Sequence, residues 1–140
     1  MAICNSPRPE TFTPEEFACG VDIVGPSNLV TLLNTIPPYW APMIELFTKR
    51  VGDHRTPEGK KLLEERSPLN RVNRIVRPLL IAQGANDPRV KQAESDQIVE
   101  AMKAKGIPVT YVLYSDEGHG FARPENRLSF YAVAESFLAT

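Results

Sequence analysis

Long apolar runs are missing from this sequence. Nowhere do apolar residues approach the roughly 18 in a row that a membrane-crossing helix needs, so no membrane partner is expected. An excess of one charge is missing too: 16 Lys and Arg stand against 17 Asp and Glu, a formal net charge of −1. That balance gives no electrostatic ground to expect nucleic acid or an anionic surface as partner. Cysteine is scarce. Cys4 and Cys19 make no disulfide framework, and the plain expectation is a strand-buried Cys19 and a free, mobile Cys4. No ligand-spaced His or Cys accompanies His54, which reads as a surface-loop residue, so no metal and no cofactor is expected. The opening residues, MAICNSPRPE, lack the basic start and apolar core of a secretory signal, and the expectation is a cytoplasmic protein.

What is present is the composition of a globular chain, 42% hydrophobic and 24% charged, with 140 residues, enough for one domain at most. Thirteen prolines cut it into short pieces. FACGVDIVG, residues 17–25, reads as a buried strand running into Gly-Pro. Residues 26–70 look like an excursion of loops and helices. Within it, Tyr39, Trp40 and Phe47 are core or pocket wall. TPEGKKLLEER opens with Thr56 as a cap and Pro57 at the first helical position. From residue 75 the pattern sharpens. IVRPLLIAQG predicts a buried strand and IPVTYVLY a second, β-branched and aromatic one. Between them residues 87–106 predict a helix with Val90, Ala93, Gln97, Ala101 and Ala104 near one another, Ile98 and Met102 extending the face, and Gly106 as its stop. Residues 123–139 predict a last helix, apolar at Leu128, Tyr131, Ala132, Ala134, Phe137 and Leu138. Strand, helix, strand, helix implies a parallel crossover and an α/β sheet covered on both faces, with about three mainly parallel strands.

In such sheets, functional groups collect on loops at the carboxyl ends of the strands. Asp87, in QGANDP, follows the second predicted strand, and His119, in DEGHGF, follows the third. Neighbouring parallel strands bring those loops side by side, so the carboxylate can hold one ring nitrogen and leave the other free as a general base. Gly118 and Gly120 suit an irregular loop open to close approach by another backbone or a substrate. Plainer readings stand beside these. Asp87 before Pro88 is a good helix N-cap, and a lone loop histidine is more often solvated than catalytic. Asp116 and Glu117 read as loop charges or supporting groups rather than as the partner of the histidine.

PLLIAQGANDPRV followed by EGHGF resembles the C-terminal part of the catalytic domain of the prolyl oligopeptidase family, close to its acylaminoacyl-peptidase-like bacterial members. FACGVDIVGPSN resembles the strand and turn that follow that family's nucleophile region. The resemblance runs from about Thr11 to the end. It implies the C-terminal half of an α/β-hydrolase fold over residues 11–140, with residues 1–10 unrelated or disordered. It also implies a Ser, Asp, His triad in that chain order, with Asp87 and His119 as the triad aspartate and histidine, and a peptide or ester as substrate.

The family nucleophile stands in a Gly-x-Ser-x-Gly-Gly elbow upstream of TPEEFACGVD, and no Gly-x-Ser-x-Gly occurs in these 140 residues. Ser27, in GPSN, lacks the second glycine, and Ser6 has none, whereas the elbow needs glycines around a strained strand-to-helix turn. The expectation is therefore a partial peptidase domain, inactive alone, with no nucleophile in the chain. The alternative is an interaction module that self-associates, or complements another chain, through an exposed edge strand at residues 18–24. A third reading, Cys4 as a new nucleophile, has no activating context behind it.

Overall fold

The computed structural model describes the backbone of residues 2–4 and the whole of residues 11–139. Its centre is a four-stranded, all-parallel sheet in the order β1, β2, β3, β4, formed by Ala2–Cys4, Gly20–Ile23, Leu79–Gly84 and Val109–Tyr114. Among the described residues it is accompanied by the helices α1 (Leu29–Asn34), α2 (Ile44–Arg50), α3 (Pro57–Arg66), α4 (Gln92–Ala104) and α5 (Pro124–Leu138). The 3-10 segments Pro14–Glu16, Pro38–Met43 and Pro68–Arg74 lie in the proline-rich connections.

Strand β3 is buried at all six positions, as a central parallel strand covered on both faces must be. Its alternation sorts the core. Leu79 and Ile81 face α4, packing with Ile98, Val99 and Met102 and with Val109 and Tyr111 of β4. Leu80 and Ala82 face α5, packing with Val21, Tyr114 and Phe130 and with the half-buried Val112, Val133 and Phe137. The two faces of one strand thus carry the two halves of the core. The apolar run that reads as featureless in sequence is two interleaved sets of contacts.

Several expectations need correction. The edge of β2 is not open: β1 pairs with it in parallel, Ala2 opposite Gly20 and Cys4 opposite Asp22. The strand that was to drive self-association already has a neighbour, and Cys4 belongs to a strand rather than to a free arm. Cys19 is half-buried and lies just before β2, not within it. Helix α4 begins at Gln92, behind Lys91, so Asp87 does not cap it, and its buried face runs through Glu94, Ser95, Ile98, Val99 and Met102 rather than through Ala93 and Ala104. On α5 the residue driven into the core is Phe130, while Leu128 and Tyr131 are exposed at 70% and 64%. The periodicity misleads on α4 because two buried residues there are polar and hydrogen-bonded. Elsewhere the local signals hold. Thr56 Oγ1 accepts from Gly59 N at 3.1 Å to cap α3, and Gly106, at φ +68, closes α4.

Candidate active site

Strands β3 and β4 end level, with Gly84 opposite Tyr114. The chain therefore leaves both at one height and the two following loops lie against each other. Ala85 N donates to Tyr114 O at 2.9 Å, Asn86 N to Glu117 O at 2.9 Å, and Asn86 Nδ2 to Ser115 O at 2.7 Å. Gly84 sits where they touch: a β-carbon there would stand 2.2 Å from Gly118 O and 2.7 Å from Glu117 O. The close backbone approach expected at Gly118 and Gly120 is thus made at Gly84. Of the other two, Gly120 supplies a positive φ of 91° and Gly118 has only Asn86 O within 4 Å of a β-carbon, at 3.9 Å.

This stitching brings Asp87 and His119 together. His119 Nδ1 and Asp87 Oδ2 are 2.8 Å apart. The Asp87 side chain is fully buried and the His119 side chain is 32% exposed. A carboxylate accepts, so the network assigns a proton to Nδ1, and Nε2 is the ring nitrogen that Asp87 leaves free. The other oxygen, Oδ1, accepts from Arg89 N at 2.8 Å and Val90 N at 3.0 Å. Asp87 therefore does cap backbone N–H groups, as its place before Pro88 suggests, but those of a loop turn rather than of a helix. One oxygen fixes the carboxylate to its own loop and the other reaches the histidine.

Glu117 holds the histidine loop closed. Its side chain is buried, and its carboxylate accepts from Ala122 N at 2.9 Å, Arg123 N at 2.8 Å and Asn126 Nδ2 at 2.9 Å. The Ala122 and Arg123 donors stand at the mouth of α5, whose first N–H groups have no partner within the helix. Burial acts to raise the carboxyl's pKa. The bonds from Asn126, Ala122 and Arg123, with the Arg123 charge, outweigh it and hold the group below its ordinary value. Asp116 lies outside, paired with Arg123 Nε at 3.1 Å and accepting from Asn126 Nδ2 at 2.9 Å. Neither acid approaches the role of partner to His119.

The remaining candidates do not join this pair. Ser27 is fully buried, and its hydroxyl donates to Glu94 O at 2.6 Å and accepts from Gln97 Nε2 at 2.8 Å. It is a structural hydroxyl tying the start of α1 to α4. Ser6 lies outside the described residues. His54 is only half-buried, but its Nδ1 is shielded from solvent and has no hydrogen-bond partner. Trp40 stacks on Phe47 with ring centres 5.6 Å apart, and the Arg89 guanidinium lies 5.9 Å from the Trp40 ring centre. The aromatic cluster is thereby placed beside the Asp87 loop, where the sequence left it as core or wall. An apolar cleft of about 690 Å³ between β2 and α5, lined by Val21, Ile23, Phe130 and Leu138 among others, includes neither Asp87 nor His119. Among the described residues no group of three or more His, Cys, Asp or Glu is placed to hold a metal ion, and no helix is long and apolar enough to cross a membrane.

A parallel sheet covered on both faces, with a buried carboxylate and an imidazole on adjacent loops at its carboxyl edge, is the architecture of the C-terminal half of an α/β-hydrolase. The model of the prolyl oligopeptidase family matches residues 10–140, and the chain belongs to that family. It is 73% identical over 129 residues to the dipeptidyl aminopeptidase BIII of Pseudoxanthomonas mexicana, covering 92% of this chain and 19% of that protein. It is 56% identical over 129 residues to the dipeptidyl peptidase family member 6 of Caenorhabditis elegans, covering 91% of this chain and 17% of that protein. The Pyrococcus horikoshii acylaminoacyl peptidase superposes with a TM-score of 0.80 at 22% identity, over 94% of this chain and 21% of that one, a likeness of fold. The chain thus spans about a fifth of the length of these relatives.

Proposed function

We propose that Asp87 and His119 are the acid and base of a serine-peptidase triad, and that the serine is contributed by a segment outside these 140 residues. The observation that carries the reading is the 2.8 Å contact between Asp87 Oδ2 and His119 Nδ1, in a chain of the prolyl oligopeptidase family. In that role His119 Nε2 takes the proton of the serine hydroxyl as its oxygen attacks the carbonyl carbon of the scissile bond. It then delivers that proton to the leaving amine nitrogen as the C–N bond breaks. Water repeats the sequence on the acyl-enzyme: Nε2 removes its proton, the acid product leaves, and the serine oxygen is reprotonated. Asp87 stays ionised throughout. It keeps Nδ1 protonated and stabilises the imidazolium that forms in each half-reaction. The names of the 73% and 56% identical relatives support dipeptides released from peptides as the product class. Alone, on this reading, the chain has base and orienting acid but no nucleophile, and does not turn over substrate.

The test is a graft. Residues of this chain replace the 129 matching ones in the Pseudoxanthomonas mexicana dipeptidyl aminopeptidase BIII, and release of a chromogenic dipeptide amide is followed. The graft is expected to be active and to lose on the order of 10⁶ in kcat with His119→Ala. The isolated chain is expected to take no label from a fluorophosphonate. A folded but inactive graft, an active graft indifferent to His119→Ala, or stoichiometric labelling of the isolated chain that His119→Ala abolishes would overturn the proposal.

A further inference from the structure

We infer that Gln83 is a positioning residue for this pair: its buried amide fastens both ends of the Asp87 loop and so sets where the carboxylate stands. The inference rests on the reading of Asp87 and His119 as acid and base. Gln83 is the fifth of six residues of β3 and fully buried, on a strand otherwise made of Leu, Ile, Ala and Gly. An amide in such a place is costly unless all its polar atoms are bonded, and here they are. Nε2 donates to Gly84 O at 3.0 Å, at the start of the loop, and to Val90 O at 3.0 Å, at its end. Oε1 accepts from Ser95 Oγ of α4 at 2.9 Å, and Ser95 is itself fully buried.

The loop between those two carbonyls carries Asp87. Val90, held at its oxygen by Gln83, donates its own N–H to Asp87 Oδ1 at 3.0 Å. A continuous chain of bonds therefore runs from Ser95 on α4 through the Gln83 amide and Val90 to Oδ1, and the opposite oxygen is the one that meets His119. An apolar residue of similar length at position 83 would fill the same space, yet it would release both carbonyls and leave the turn that aims Oδ2 without its anchor. Burial of a strand residue alone does not call for an amide here; the loop does.

The experiment uses the isolated chain and needs no catalysis. Proton NMR detects the ring Nδ1–H of His119 as a low-field resonance while it is held by Asp87, and Asp87→Ala assigns it by removing it. In Gln83→Leu this resonance is expected to vanish, or to exchange with water about tenfold or more faster, as a hydrogen bond in a loosened loop does. Ser95→Ala, which frees only Oε1, is expected to shift it in the same direction by less, and it decides the matter if Gln83→Leu does not fold. Leu33→Ala, a core deletion on α1 outside both loops, lowers the unfolding midpoint but is expected to leave the resonance unchanged, which separates positioning from general stability. A folded Gln83→Leu or, failing that, a folded Ser95→Ala with the wild-type resonance and exchange rate would overturn the inference. So would loss of the resonance in Leu33→Ala. If the wild-type chain shows no such proton, the Asp87–His119 pair itself fails, and the proposed function with it.

Discussion

Replacing Gly84 by alanine adds one carbon at the point where the two site loops meet. That carbon would stand 2.2 Å from Gly118 O, 2.7 Å from Glu117 O and 2.8 Å from Glu117 C. All three are backbone atoms, so no side-chain rotation relieves the clash. To reach ordinary contact at 3.4 Å the His119 loop must retreat by about 1.2 Å. Two of the bonds crossing the gap, the ones nearest the clash, Asn86 N to Glu117 O at 2.9 Å and His119 Nδ1 to Asp87 Oδ2 at 2.8 Å, then stretch beyond hydrogen-bonding range. Two such bonds, one of them charge-assisted, contribute together about 2–4 kcal/mol, and the smaller backbone entropy of unfolded alanine returns roughly 0.4–1 kcal/mol. A net loss of about 1–3.5 kcal/mol follows, read as a fall in the urea midpoint. The control is Gly118→Ala, whose added carbon meets only Asn86 O at 3.9 Å and which is expected to cost well under 1 kcal/mol. Equal stability of Gly84→Ala and Gly118→Ala, with the Nδ1–H resonance of His119 intact in both, would refute the reasoning.

Glu94 is buried, and its carboxyl group accepts from Ser27 N at 3.0 Å, Asn28 N at 2.8 Å, Gln97 Nε2 at 3.1 Å and the Thr31 hydroxyl. Glu94→Ala strands these donors and is expected to cost on the order of 3–5 kcal/mol in urea unfolding; a cost below about 1 kcal/mol would show that they find other partners. For Glu117 the sign is that of a carboxyl held below its ordinary value of 4.5 in the folded state. Its stabilisation is complete above that value and disappears as the pH falls through the lowered one. The Tm gap between wild type and Glu117→Gln is therefore expected to be widest near neutrality and to close below pH 4.5; a gap that stays constant into acid contradicts the loop-closing role. Val21 is only 1% exposed and belongs to the core cluster with Leu80, Ala82 and Phe130, so Val21→Lys puts a charge into the core. It is expected to unfold the chain rather than to change its association state, and a folded Val21→Lys by sedimentation and circular dichroism would contradict this.

Much of this arrangement is legible in the sequence because it rests on local signals. The apolar runs ending in Gln83-Gly84 and Tyr114 mark two parallel strands, and the carboxylate and imidazole one crossover apart after them are the pair found in contact. The rest depends on pairings that no local pattern encodes. Residues 2–4 are too short to announce a strand, and take that form beside β2. Glu94 and Ser95 look like the wet side of a helix and are buried because Ser27 and Gln83 wait for them across the fold. Phe130 rather than Leu128 enters the core because Phe121 and Tyr114 form its seat, with ring centres of Phe121 and Phe130 5.2 Å apart. Val24, at φ 51, holds a backbone conformation unusual for a β-branched residue, and nothing in its neighbours foretells it. Gly84 reads as a turn residue, yet its function is to admit another backbone, visible only once the second loop is in place.

The central claim is that Asp87 and His119 act as one device. In the active graft, Asp87→Ala, His119→Ala and the double variant are compared by kcat at saturating substrate. Acting as a unit, the single variants are expected to lose on the order of 10⁴ and 10⁶, and the double variant no more than His119→Ala alone. Losses that multiply, so that the double variant falls well below His119→Ala, would mean that the two residues contribute independently and that the 2.8 Å contact between them is not the basis of the chemistry.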